Sequence, residues 1–183
     1  MIRRAIAFFF DILQTIVLAA AIFVIIYLFV AQPHRVQGSS MEPNFLNSDY
    51  ILTEKVSYKL SEPRRGDVIV FEAPNRANAD YIKRIIALPN EVMHVADGIV
   101  YVNDEPLPET YEPESQRTSP GSFLKEGADY TVPADTYIVL GDNRPHSSDS
   151  REFGPIERDS IVGRAIFRYW PPERMGQFKS PDY

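Results

Sequence analysis

Residues 37–46 read Gln-Gly-Ser-Ser-Met-Glu-Pro-Asn-Phe-Leu. Gly38 frees the backbone just before Ser40, and Pro43 restrains it just after Met41 and Glu42. One hydroxyl is thereby presented on a constrained turn. A serine hydroxyl is a weak nucleophile at neutral pH and needs a base beside it. A serine pair next to glycine is also ordinary loop composition. The reading therefore depends on whether the rest of the chain supplies that base.

Upstream, Ile12 to Val30 holds nineteen residues without a formal charge. As a helix they would extend roughly 28 Å, enough to cross a bilayer core. A buried soluble helix would show a polar face, and this one shows almost none. A cleaved signal peptide would carry small residues before the cut, whereas Phe29 stands where one is needed for cleavage after Ala31. The run reads as a retained membrane anchor. Arg3 and Arg4 precede it, which predicts a cytoplasmic N-terminus in residues 1–11, an anchor at 12–30 and an extracytoplasmic domain at 31–183. The whole chain carries −6, and the first thirty residues, with Arg3, Arg4 and Asp11, carry +1, so the domain carries −7. An acidic domain is a poor nucleic-acid binder, and no nucleic-acid partner is expected. The 183 residues suffice for one domain with a real core. None is cysteine, which excludes disulfides, thiolate metal sites and cysteine nucleophiles. His34, His94 and His146 have no metal-ligand spacing, so no metal site is expected.

Downstream, short apolar or alternating runs predict strands at 50–56, 67–71, 81–87, 137–140 and 161–170. Val92–Val95 and Ile99–Val102 flank Asp97-Gly98 as a hairpin. Pro108 to Asp129 is poor in apolar residues and reads as a long mobile surface excursion. No soluble helix is evident, and the domain is expected to be mostly β.

Lys83 lies among Tyr81, Ile82, Ile85 and Ile86. Strand parity puts Tyr81, Lys83 and Ile85 on one face. One reading is an edge lysine pointing at solvent. The other is a lysine in apolar surroundings, whose depressed pKa leaves a neutral amine able to take a serine proton. The stretch 141–151, Gly-Asp-Asn-Arg-Pro-His-Ser-Ser-Asp-Ser-Arg, reads either as a solvated loop or as a bracing element in which Asp149 and Arg151 pair. His146, with Asp142 or Asp149, offers a Ser-His alternative.

Four stretches in order, 38–43, 65–71, 81–89 and 141–151, with an anchor in front, resemble the type I signal peptidases. The resemblance implies a β catalytic core with a small inserted β lobe, here about 91–132. It implies an endopeptidase that cuts signal peptides from exported preproteins at the outer face of the membrane, without metal or organic cofactor. It assigns Ser40 as nucleophile, Lys83 as general base and Ser147 as the hydroxyl that orients Lys83. Arg84, Asp142, Asp149 and Arg151 would brace the site through ion pairs. The Ser40 N–H would contribute to an oxyanion hole, while Gly38 stands where some relatives have a donating serine. His34, Val36, Tyr81 and Ile82 would line shallow pockets for small side chains of an extended substrate. Asn44 and Asn90 depart from the family's usual threonine and glycine. Two other readings compete: a LexA-like self-cleaving Ser-Lys protein, and an anchored β scaffold without activity.

Overall fold

The computed structural model describes residues 2–112, 117–178, 180–181 and 183, with the side chains of Ile2 and Ala5 excepted. In chain order the helices are α1 (Ile2–Phe29), α2 (Ser57–Leu60) and α3 (Ser150–Phe153). The longer strands are β1 (Ala31–Arg35), β2 (Tyr50–Glu54), β3 (Val68–Glu72), β4 (Asp80–Ala87), β5 (Val92–Ala96) and β6 (Ile99–Val102). They are followed by β7 (Glu105–Pro106), β8 (Tyr130–Thr131), β9 (Thr136–Leu140), β10 (Ile156–Glu157), β11 (Ile161–Trp170) and β12 (Gly176–Gln177). The protein is mostly β, with one long apolar helix in front.

That helix contains a 24-residue stretch, Ile6–Phe29, of mean hydropathy 2.7 and with no residue buried against the rest of the protein. Its length and composition suit a membrane span. It begins well before the uncharged run and takes in Arg3, Arg4 and Asp11, because nothing in that segment breaks a helix. Only Val30 separates it from β1, and the Lys55 N–H holds the Val30 carbonyl at 2.8 Å.

The main sheet has the order β1-β2-β11-β3-β4-β9-β10, with β12 added to β11. Its pairings are antiparallel. A second sheet, β7-β6-β5-β8, is built from residues within 92–131. The β5–β6 turn is Asp97-Gly98, both with positive φ, as a tight hairpin requires. β3 is buried on both faces. Val68 and Val70 pack with Val36, Met41 and Phe45, while Ile69 and Phe71 pack with Ile85, Tyr137 and Val139. Ile86, Ala87, Ile138 and Leu140 of the main sheet share a third core with Met93, Val95 and Val100 of the second sheet. The two sheets are thus joined through side chains next to the polar stretch that follows β9.

One sequence expectation needs correcting here and another is filled in. The described part of 108–129 runs over the surface, with most of its residues exposed, and is pinned at a few points. Thr118 and Leu124 are buried, and Tyr111 and Glu112 are half-buried. The cause is an ion cluster described below. Short helices also occur, at α2 and α3, each a single turn of four residues.

Candidate active site

Lys83 lies in the first half of β4 and is only 4% exposed. Ile69 is its cross-strand partner on β3, and Tyr81 and Ile85 flank it on its own strand. These neighbours strip water from the amine. Burial lowers the Lys83 pKa from 10.5 to about 8, against the pull of Asp149 and Asp142. A depression of that size corresponds to about 3 kcal/mol by which folding disfavours the ammonium form.

β9 pairs with β4 only from Arg84 onward, so β4 is unpaired on that side at 80–83. The Ser40 turn comes to this open edge. Lys83 Nζ and Ser40 Oγ lie 2.7 Å apart, a hydrogen bond that the ammonium donates. Once the amine is neutral, the direction can reverse and the hydroxyl can donate. The Ser40 carbonyl accepts from the Asn143 N–H at 3.0 Å, and Asn143 Nδ2 donates to the Ser39 carbonyl at 3.0 Å. The nucleophile turn is therefore pinned to the turn after β9. Gly38 has φ +87°, a conformation that favours glycine, and its N–H donates to Asn47 Oδ1.

Two buried arginine–aspartate pairs brace this arrangement. Arg84 grips Asp142 through Nε (2.8 Å) and Nη2 (2.6 Å), and its guanidinium stacks on Tyr111. Arg151 grips Asp149 through Nε and Nη2, both at 2.8 Å. Asp149 also accepts the Gly141 N–H, and Arg151 donates to the carbonyls of Arg144 and Ser147. These forked, charge-assisted bonds fix the backbone that follows Leu140.

The Ser-His alternative does not form. Among the described residues His146 makes no hydrogen bond to Ser40, and both aspartates that could orient it are held by arginines. His146 is exposed and lines the rim of the cleft. The hydrogen bond from Ser147 to Lys83 is likewise absent. Ser147 Oγ is buried without a partner among the described residues. It packs against the α-carbon of Gly141, where a Cβ would collide with both Ser147 Oγ and the Ser40 carbonyl oxygen.

The groove beside Ser40 has a volume of about 690 Å³. His34, Val36, Tyr81 and Ile82 line it together with Lys83 and Ser40. Ile51 and Val70 also contribute to the lining. His34 and Asp80 face each other across it at 3.6 Å. Burial lowers the His34 pKa, against the pull of Asp80. Among the described residues β1 pairs only with β2, so the groove runs between two open strand edges.

Sequence reasoning missed three supports. Asn44 Nδ2 donates to Asp142 and to the Tyr111 carbonyl, both at 2.8 Å, which gives the departure from threonine a role. Arg144, fully buried, joins the turn after β9 to the connection between the two strands β7 and β8. It pairs with Glu109 and Glu112 and donates to Thr118 Oγ1. Burial, outweighing Arg144, pushes the Glu112 carboxyl up to about 8. Arg168 and Arg174 pair with the buried Asp49, and both donate to the Asn44 carbonyl, clamping the Ser40 turn from behind. The only local signal was the density of charge in each stretch.

A serine hydroxyl bonded to a buried, easily neutralised amine beside open strand edges is the arrangement of a serine-type peptidase. The family model of signal peptidase, peptidase S26, matches residues 9–170. A signal peptidase I from Leptolyngbya laminosa is 38% identical over 179 residues, covering 92% of this chain and 83% of that one. A probable signal peptidase I-2 from Synechocystis sp. is 39% identical over 168 residues, covering 89% and 74%. Signal peptidase IB from Staphylococcus aureus is 33% identical over 175 residues, covering 88% and 91%. A crystal structure of a signal peptidase I from Enterococcus faecalis, 32% identical, covers 57% of this chain and 97% of its own, with a TM-score of 0.48. The chain belongs to the signal peptidase family, peptidase S26, and is a serine-type endopeptidase.

Proposed function

We propose that this chain removes signal peptides from exported preproteins, with Ser40 as nucleophile and Lys83 as general base. The observation that carries the reading is the 2.7 Å contact between Lys83 Nζ and Ser40 Oγ at the floor of an open-edged groove. The neutral Lys83 amine takes the Ser40 proton as Oγ attacks the scissile carbonyl. The Ser40 N–H faces the developing oxyanion, and Gly38 adds no side-chain donor. The resulting ammonium gives its proton to the leaving amine. A water then attacks the acyl-enzyme, with Lys83 again as base, and the cycle closes.

Ser147 is the proposed orienting residue. A buried hydroxyl without a partner is costly, and a neutral amine has both a lone pair and N–H groups to offer it. Arg84, Asp142, Asp149 and Arg151 hold the backbone on which this depends.

The substrate lies extended between β1 and the open half of β4, adding a strand by backbone pairing. Val36, Tyr81, Ile82 and His34 leave room only for small side chains at the minus-one and minus-three positions. A preprotein with its minus-one alanine replaced by phenylalanine is expected to be cut at least roughly tenfold more slowly, the cost of overpacking a formed pocket. Equal rates for the two preproteins, measured with the purified full chain in detergent, would remove this pocket from the account.

The catalytic domain is proposed to lie outside the cytoplasmic membrane, anchored by α1, with Arg3 and Arg4 inside. Protease added to intact spheroplasts is expected to digest the domain. Full protection of the domain with an accessible N-terminus would reverse the orientation.

A further inference from the structure

A second cavity, of about 230 Å³, lies at the end of α1. Leu28 of the helix forms one wall, and Pro63, Ile161 and Val162 supply further apolar surface. Lys55 and Lys59 stand at the same cavity, with Tyr58 between them in sequence. Neither lysine has an acidic partner among the described residues. Lys55 Nζ reaches the Tyr27 and Leu28 carbonyls only at 3.5 Å, and Lys59 Nζ sits 5.3 Å from the centre of the Phe29 ring. Arg158 and Asp159 complete the lining. Arg158 is already engaged by Glu62 at 2.8 Å and by the Tyr58 carbonyl at 2.9 Å, so the two lysines are the cations left to meet a ligand.

We propose that this cavity binds the phosphate headgroup of an anionic phospholipid, with an acyl chain running along α1. Three observations select that occupant. The helix next to the cavity is apolar over 24 residues and buries none of them in the protein, so hydrocarbon continues directly from the cavity wall. Two cations without an acidic partner among the described residues sit at the level where that helix ends, the level of lipid phosphates in a bilayer it crosses. The chain as a whole carries −6, so a cationic pair at this one place runs against the general charge. Leu60, next to Lys59 on α2, is an apolar side chain left 84% exposed. The site is separate from the Ser40 groove, with which it shares no lining residue. The competing role is that the lysines only neutralise the carbonyl end of α1, whose last turn holds no basic residue.

Native mass spectrometry of the full chain in detergent distinguishes the two. The chain is mixed with dioleoylphosphatidylglycerol, with dioleoylphosphatidylcholine, or with glycerol phosphate, as wild type and as Lys55→Gln/Lys59→Gln. The wild type is expected to retain one phosphatidylglycerol, and the double variant to retain roughly tenfold less or lower still. Cleavage of a short soluble peptide and the circular dichroism spectrum are expected to match the wild type, since neither lysine touches the Ser40 groove. Equal retention of phosphatidylglycerol by the two proteins would overturn the proposal, leaving only the helix-end role. Retention of phosphatidylcholine as strong as that of phosphatidylglycerol would also overturn it. Retention of glycerol phosphate as strong as that of the lipid would replace the lipid by a soluble phosphate.

Discussion

Ser40→Ala leaves a folded protein that no longer cuts a preprotein. Removing the nucleophile of a serine peptidase costs about 10⁶-fold in turnover. The side chain is half-exposed, and its one hydrogen bond among the described residues is to Lys83, so its loss leaves the packing of Val36, Met41 and Phe45 untouched. Cleavage assayed in detergent beside a melting curve separates the two effects. Wild-type activity in the variant would end the assignment, and the neighbouring Ser39 would be tested next. A variant that is inactive because it is unfolded would show itself in the melting curve.

Lys83→Met abolishes cleavage and raises stability. The methionine keeps the length of the side chain and fills the same space between Tyr81, Ile85 and Ile69, but carries no base. It also removes a buried cation whose pKa is depressed from 10.5 to about 8. Below pH 8 the lysine is charged in both folded and unfolded chains, and the full penalty of about 3 kcal/mol applies. Between pH 8 and 10.5 only the unfolded chain holds the proton, so wild-type stability rises with pH. The advantage of Lys83→Met is therefore largest near neutrality and fades above pH 8, an expected outcome for melting temperatures measured at pH 7 and pH 10. In the wild type, kcat/KM rises with pH through about 8, because only the neutral amine accepts the Ser40 proton. Lys83→Arg stays inactive at every pH, since a guanidinium does not give up its proton. His146→Ala keeps most of the activity. A dead His146→Ala together with an active Lys83→Met would refute the Ser-Lys pair.

Such a cost explains why Lys83 was visible in the sequence at all. A lysine set in Tyr-Ile-Lys-Arg-Ile-Ile breaks a local rule, and a broken rule with no local compensation points to function. The strand itself followed from the same apolar run, and β11 occupies the 161–170 expected for it. β1 is not among the strands expected from the sequence. Its sequence, Ala-Gln-Pro-His-Arg, has little strand character, and it pairs on one side only, where proline is tolerated. The ion cluster of Arg144, Glu109 and Glu112 was not legible either. Charges in a sequence read as solvated, and only the tertiary fold brings residues 109, 112 and 144 together. That cluster pins an otherwise exposed stretch at Glu109, Glu112 and Thr118. The Ser147 contact fell short for the opposite reason. A motif names the residues of a network but not the rotamer each one holds.

The single-residue junction at Val30 has a mechanical consequence. β1, which forms one wall of the groove, starts immediately beyond it, and the Lys55 N–H locks the junction to β2. On the proposed membrane topology, a single residue lies between the end of α1 and that wall, so the groove is kept within one residue's reach of the bilayer surface.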